Sequence, residues 1–91
     1  MVHKHLKISG RVQGVGFRHF TRQNARDLEI NGWVKNMRDG TVETVLSGSP
    51  KDVETMIKRL QKGPISARVD DIKELESDAV NEDYNRFSVR R

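Results

Sequence analysis

Hydrophobic and polar positions follow two regular periods along this chain. In HLKIS (residues 5–9) Leu6 and Ile8 share one face, and Val12 stays in phase beyond Gly10, which predicts a strand. Phe17, Phe20, Thr21, Asn24 and Leu28 then recur at helical spacing, with Arg22, Arg26 and Asp27 opposite. A helix is expected to start inside the preceding glycine-rich loop and to run to about Leu28. NGWVKN (31–36) is short and β-prone, RDG (38–40) is a tight turn, and TVETVLSG (41–48) sets Val42, Thr44 and Leu46 on one side. Together they predict a hairpin.

A second helix opens at SPKD, with Ser49 as N-cap, Pro50 in the first helical position and Asp52 placed to reach back as in a capping box. Val53, Met56, Ile57 and Leu60 keep helical spacing until KGP (62–64) stops the helix. ARVDDIKELES (67–77) predicts a longer strand whose phase slips between Val69 and Ile72, the mark of a bulge. SDAVNEDY (77–84) is polar loop, and RFSV (86–89) a short last strand with Phe87 and Val89 on one side. The order β-α-β-β-α-β, with an extra short strand at the end, predicts an α+β, ferredoxin-like split-βαβ fold. Two helices would cover one face of an antiparallel sheet. Many unrelated functions use that fold, so it decides nothing about chemistry.

Composition narrows the field. Ninety-one residues make one domain, 1–91, with a modest core. Hydrophobic residues are 34% and charged residues 33% of the chain, enough apolar material for two layers and no more. The absence of cysteine excludes a disulfide framework and thiol chemistry and suits a reducing cytoplasm. No apolar run approaches membrane-spanning length, and MVHKHLK is not a secretory signal. The net charge of +4 suits an anionic ligand, large or small.

The stretch SGRVQGVGFR (9–18) carries the candidate chemistry. It lies where a strand hands over to a helix N-terminus, whose unpaired N–H groups and partial positive charge attract anions. Gly14 and Gly16 lack a Cβ, so the N–H groups of Gln13, Gly14, Val15, Gly16, Phe17 and Arg18 can turn toward one point and hold a phosphate or carboxylate. Arg18 adds a guanidinium fork. The loop is neither a Walker A motif nor a dinucleotide fingerprint, because no Gly-Lys-Ser/Thr ends it and His19 stands where a third glycine belongs. Spacing alone fits a plain strand-to-helix turn equally well.

GRVQGVGFR resembles the signature of acylphosphatases, small hydrolases of carboxyl-phosphate anhydrides. GWVKN, followed by Gly40, Val42 and Gly48, is similar to a second family pattern. FRHFTRQNARDL and GPISARVDDI are similar to bacterial members, so the resemblance runs from Leu6 to Val89. It implies a ferredoxin-like fold, a catalytic arginine at Arg18 and a catalytic asparagine at Asn36. Arg18 and the loop amides would bind the phosphate, and the Asn36 carboxamide would position the attacking water. It implies no metal and no organic cofactor, a small-molecule acyl phosphate as substrate, and a monomer. One departure stands out: Glu29 occupies the position after Leu28 where the family often has glycine. Because a left-handed C-cap strains glutamate, this helix is expected to end differently.

Other residues have plainer readings. Asn36 could be a turn residue before MRDG, and Arg18 a helix-surface arginine. His3 and His5 face the same way on a strand, but without a third ligand nearby in sequence they read as a solvated edge. His19 is turned about 100° from Arg18 and reads as surface. Trp33 fills the core or supports Asn36, Arg11 helps hold the loop, and Lys58, Arg59 and Lys62 form the wet face of the second helix. RNA recognition by this fold needs aromatics on the first and third strands, and HLKIS and TVETVLSG have none. A silent phosphate- or carboxylate-binding module is the remaining alternative.

Overall fold

A computed structural model describes residues 1–91. Its elements are β1 (Val2–Arg11), α1 (Phe17–Asp27), β2 (Asn31–Asn36), β3 (Val42–Gly48), α2 (Pro50–Lys62), β4 (Arg68–Leu75), a short 3-10 turn (Asp78–Asn81) and β5 (Phe87–Arg90). The strands form one sheet in the order β4-β1-β3-β2-β5. The predicted α+β, ferredoxin-like architecture is present. The sheet is mixed, however: β5 runs parallel to β2, pairing Gly32 with Phe87 and Val34 with Val89. The crossover needed for a parallel pair is supplied by everything between the two strands. No helix is long and apolar enough to cross a membrane.

Both helices lie on one face and bury the stripes that their spacing predicts. Phe17, Thr21 and Ala25 of α1, with Val53, Met56 and Leu60 of α2, close over Leu6, Ile8, Val34, Val42, Leu46 and Phe87 of the sheet. Ser49 caps α2, its Oγ accepting the Asp52 N–H at 3.2 Å. The two helices are tied at the surface by Arg59, which donates to Asn24 Oδ1 at 3.0 Å and to Asp27 at 2.8 Å. Arg59 therefore belongs to the helix–helix contact and not to a wet face. The slip foreseen in β4 is a bulge: Ser9 pairs with Asp71 and Gly10 with Val69, leaving Asp70 as the extra residue. Gly10 makes this possible. Its φ is 121°, and a Cβ there would lie 2.2 Å from the Arg68 carbonyl oxygen.

The opposite face of the sheet is not left to water. Residues 77–84 cross it, with Ser77 Oγ 2.7 Å from His5 Nδ1 and Tyr84 Oη accepting the Trp33 indole N–H at 3.3 Å. His5 Nε2 meets Glu43 Oε1 at 2.7 Å. His5 is thus buried, contrary to a solvated edge, because β1 is paired on both sides and roofed by this strap. Trp33 is buried on the same outer face, stacked edge-on to His5 and capped by the Arg90 guanidinium 4.8 Å from its ring. It fills this second layer and not the core beneath the helices. Strand alternation gives the reason: Trp33 points away from the side taken by Val34 and Asn36.

Helix α1 ends as though glycine were present. Glu29 has φ 55°, the one positive value outside glycine. Its N–H bonds to the Arg26 carbonyl at 3.2 Å, and the Ile30 N–H bonds to the Ala25 carbonyl at 2.8 Å. Those are the two bonds of a Schellman motif, sealed by burial of both Ala25 and Ile30. The expectation of a different ending is corrected: packing of Ile30 holds the glutamate in left-handed backbone, at about 1–2 kcal/mol. Replacing Glu29→Gly removes that strain and returns part of it as unfolded-state entropy, so a net gain of roughly 0.5–1 kcal/mol is expected. Urea unfolding checks this by a higher midpoint at unchanged slope; a lower midpoint would mean that the glutamate side chain itself stabilises the turn.

Candidate active site

The loop between β1 and α1 turns on Gly16, whose φ of 78° and ψ of 20° are left-handed and which serves as N-cap of α1. No side chain caps this helix, and its first turn holds no acidic residue. No turn, loop or cap hydrogen bond uses the N–H of any residue from 13 to 19. Serine, threonine or aspartate at the cap would have satisfied one of those donors. Here they stay free, and the helix N-terminus remains electropositive.

An open cleft of about 400 Å³ lies at this helix end. Of the loop residues expected to cradle an anion, Gly14, Gly16, Phe17 and Arg18 line it, whereas Gln13 and Val15 do not. Val15 packs against the core. Gln13 turns its carboxamide the other way and donates to two carbonyls, Met37 at 2.7 Å and Thr41 at 2.8 Å. It thereby fastens the loop to the turn between β2 and β3. Arg18 sits in the first turn of α1, and its Nη1 donates to the Arg90 carbonyl of β5 at 3.2 Å. Arg11, by contrast, is exposed at the end of β1 and makes no side-chain bond to the loop.

Asn36 reaches the same cleft from the far side of the fold. It is the last residue of β2, two positions beyond Val34, so it shares the helix-covered face of the sheet. Its Oδ1 is buried and has no hydrogen-bond partner. A buried acceptor without a partner costs about 1–3 kcal/mol and marks a place where a ligand or water belongs. Arg18 and Asn36, 18 positions apart in sequence, are therefore brought to one cavity by the packing of α1 on β2.

The cleft also contains residues that spacing had set aside. His19 is exposed yet lines it, and so do Arg22, Val89 and Arg91. No carboxylate side chain lines the cavity, while three guanidiniums do. Arg22 had a signal: it lies four positions after Arg18, hence on the same helix face. Val89 and Arg91 had none, because nothing local says that β5 joins the sheet beside β2. The turn beyond Asn36 is braced by Asp39. Its carboxylate accepts the Thr41 hydroxyl at 2.6 Å and the Thr41 N–H at 3.0 Å, and it pairs with Lys7 at 3.1 Å. These partners, the Thr41 hydroxyl foremost, lower the Asp39 carboxyl to about 2.

Comparison with known proteins decides what the arrangement belongs to. The family described as Acylphosphatase matches residues 4–89. The chain belongs to the acylphosphatase family. This is a family of hydrolytic enzymes. The acylphosphatase of Syntrophotalea carbinolica is 45% identical over 85 residues, covering 93% of this chain and 91% of the relative. The crystal structure of acylphosphatase from Bacillus subtilis superimposes with a TM-score of 0.92 at 35% identity, each chain fully covered. Full-length HypF also contains a similar unit, with a TM-score of 0.84 at 29% identity, matched by 99% of this chain and 12% of HypF.

Two outcomes follow for an acylphosphatase built this way. Gln13→Ala should lower stability by about 1–2 kcal/mol, and Gln13→Glu by more, since a carboxylate would face two carbonyl oxygens. Equal urea midpoints for the two variants would show that donation by the carboxamide is not what ties the loop down. For Asp39, the lowered folded value means that its stabilisation is complete above the ordinary value of 3.8 and is lost as pH falls toward 2. Asp39→Asn should therefore narrow its difference from the wild type as unfolding is followed from neutral pH down through that range.

Proposed function

We propose that the chain hydrolyses the carboxyl-phosphate bond of acyl phosphates, giving a carboxylate and inorganic phosphate. The reading is carried by one observation: the unpartnered, buried Oδ1 of Asn36 lies on the same cleft as Arg18 and the free amides of the glycine loop. The Arg18 guanidinium and the N–H groups of the loop residues on the cleft, Gly14, Gly16, Phe17 and Arg18, hold the nonbridging phosphate oxygens. The Asn36 carboxamide accepts a hydrogen bond from a water and aims its oxygen at phosphorus, in line with the acyl oxygen.

Attack by that water forms the new P–O bond as the P–O(acyl) bond breaks, and the electron pair leaves on the carboxylate. The conjugate acid of this leaving group has a pKa of roughly 4, so it departs unprotonated at neutral pH and no general acid is needed. Asparagine cannot take a proton, and the water's proton passes to a nonbridging oxygen of the transferring phosphate. Fixed donors aimed at those oxygens act where charge is concentrated and need no reorganisation during the reaction. The scheme uses the chain's own residues and calls on no cofactor.

Benzoyl phosphate hydrolysis in the presence of a chelator tests this. Wild type should turn over rapidly, while folded Arg18→Gln and Asn36→Ala should each lose about a hundredfold or more in kcat. Residual rates equal to wild type in either variant would remove that residue from the mechanism. Wild type no faster than the spontaneous reaction would leave a phosphate-binding module in place of an enzyme.

A further inference from the structure

The cleft is larger and more cationic than one phosphate requires. Beyond Arg18 it holds Arg22 and Arg91, with no carboxylate side chain among its lining residues. Arg22 makes no ion pair, unlike Arg59 and Arg68, which pair with aspartates. Its Nε is buried without a partner, one of three such side-chain atoms in the chain, and Asn36 Oδ1 on the same cleft is another. A guanidinium group with a desolvated, unbonded donor is unfavourable unless an anion completes it. Four residues along a helix advance about 6 Å, so Arg22 stands one turn below Arg18 on the same face.

We infer that Arg22 forms a second anion subsite, which selects acyl phosphates whose acyl part ends in its own negative group, a carboxylate or a second phosphate. The proposal rests on the hydrolase reading above and names its substrate class. With the phosphate on Arg18 and the loop amides, a substrate lying along α1 carries its acyl chain past Val89 toward Arg22. The span of about 6 Å suits a two- or three-carbon spacer between the two anions. A planar fork meets a carboxylate or phosphate with two parallel hydrogen bonds, so the subsite rewards an anion and gives nothing to a methyl group of the same size.

Succinyl phosphate and butanoyl phosphate differ only in that terminal group. Wild type should favour succinyl phosphate in kcat/KM by about tenfold at low ionic strength, the worth of one charge-assisted interaction. In Arg22→Gln the ratio should fall to near one, and in Arg22→Lys, which keeps the charge but loses the fork, it should fall to between one and the wild-type value. A wild-type ratio near one, or a preference that survives Arg22→Gln, would overturn the subsite. If neither compound is hydrolysed, the hydrolase reading fails on its own. The subsite is then decided by calorimetric titration with phosphonopentanoate and pentylphosphonate. Tighter binding of the former by about tenfold, abolished in Arg22→Gln, supports it, and equal affinities overturn it.

Discussion

The register of β3 between its two neighbours is the constraint on which the cleft depends. Val42 faces Ile8 of β1 on one side and Asn36 of β2 on the other, so the three residues stand in one row across the sheet. The glycine loop begins just beyond that row on β1, and the β2–β3 turn begins beside it. A slip of one residue would send Asn36 to the outer face and bring Trp33 and Lys35 under the helices. The register is held on both faces: Val42, Thr44 and Leu46 are buried under the helices, and Val45 and Ser47 under the strap. Gln13 then locks the two ends together with its pair of bonds to Met37 and Thr41.

Around this rigid row the fold leaves polar groups unsatisfied. Of the three buried side-chain atoms without a partner, Asn36 Oδ1 and Arg22 Nε lie on the cleft and His3 Nδ1 lies away from it on β1. The helix cap has no side-chain acceptor, Asn36 Oδ1 has no donor and Arg22 Nε has no acceptor. Other buried polar side chains are paired, as with His5 between Ser77 and Glu43 or Thr44 with the Trp33 carbonyl. Free donors and concentrated positive charge lower the stability of the isolated domain and raise its affinity for an anion. The same imbalance underlies the anion site proposed for Arg18 and the subsite proposed for Arg22.

The C-terminal strand contributes through placement more than through chemistry. Its parallel pairing with β2 brings Val89 and Arg91 to the cleft, puts the Arg90 carbonyl within reach of Arg18, and seats the Arg90 guanidinium over Trp33. The outer-face layer and the cleft are thus joined by one residue, whose side chain serves the first and whose backbone serves the second.

Local sequence determined much of this protein. Resemblance to the family's motifs pointed to Arg18 and Asn36 as candidate site residues, while apolar periods marked both helices and most strands and the phase slip at Val69–Ile72 announced the bulge. Those features depend on short-range rules, side-chain direction and backbone freedom, which act within a few residues. Tertiary structure alone decided the rest. It buried His5 by roofing a central strand, drew Arg59 into the helix contact, and tied the Gln13 side chain to the neighbouring turn. It also forced Glu29 into left-handed backbone because Ile30 must be buried, and it assembled Arg22, Val89 and Arg91 into one cleft. Each of these is set by what lies across the sheet or beyond the helix, at separations where sequence spacing carries no information.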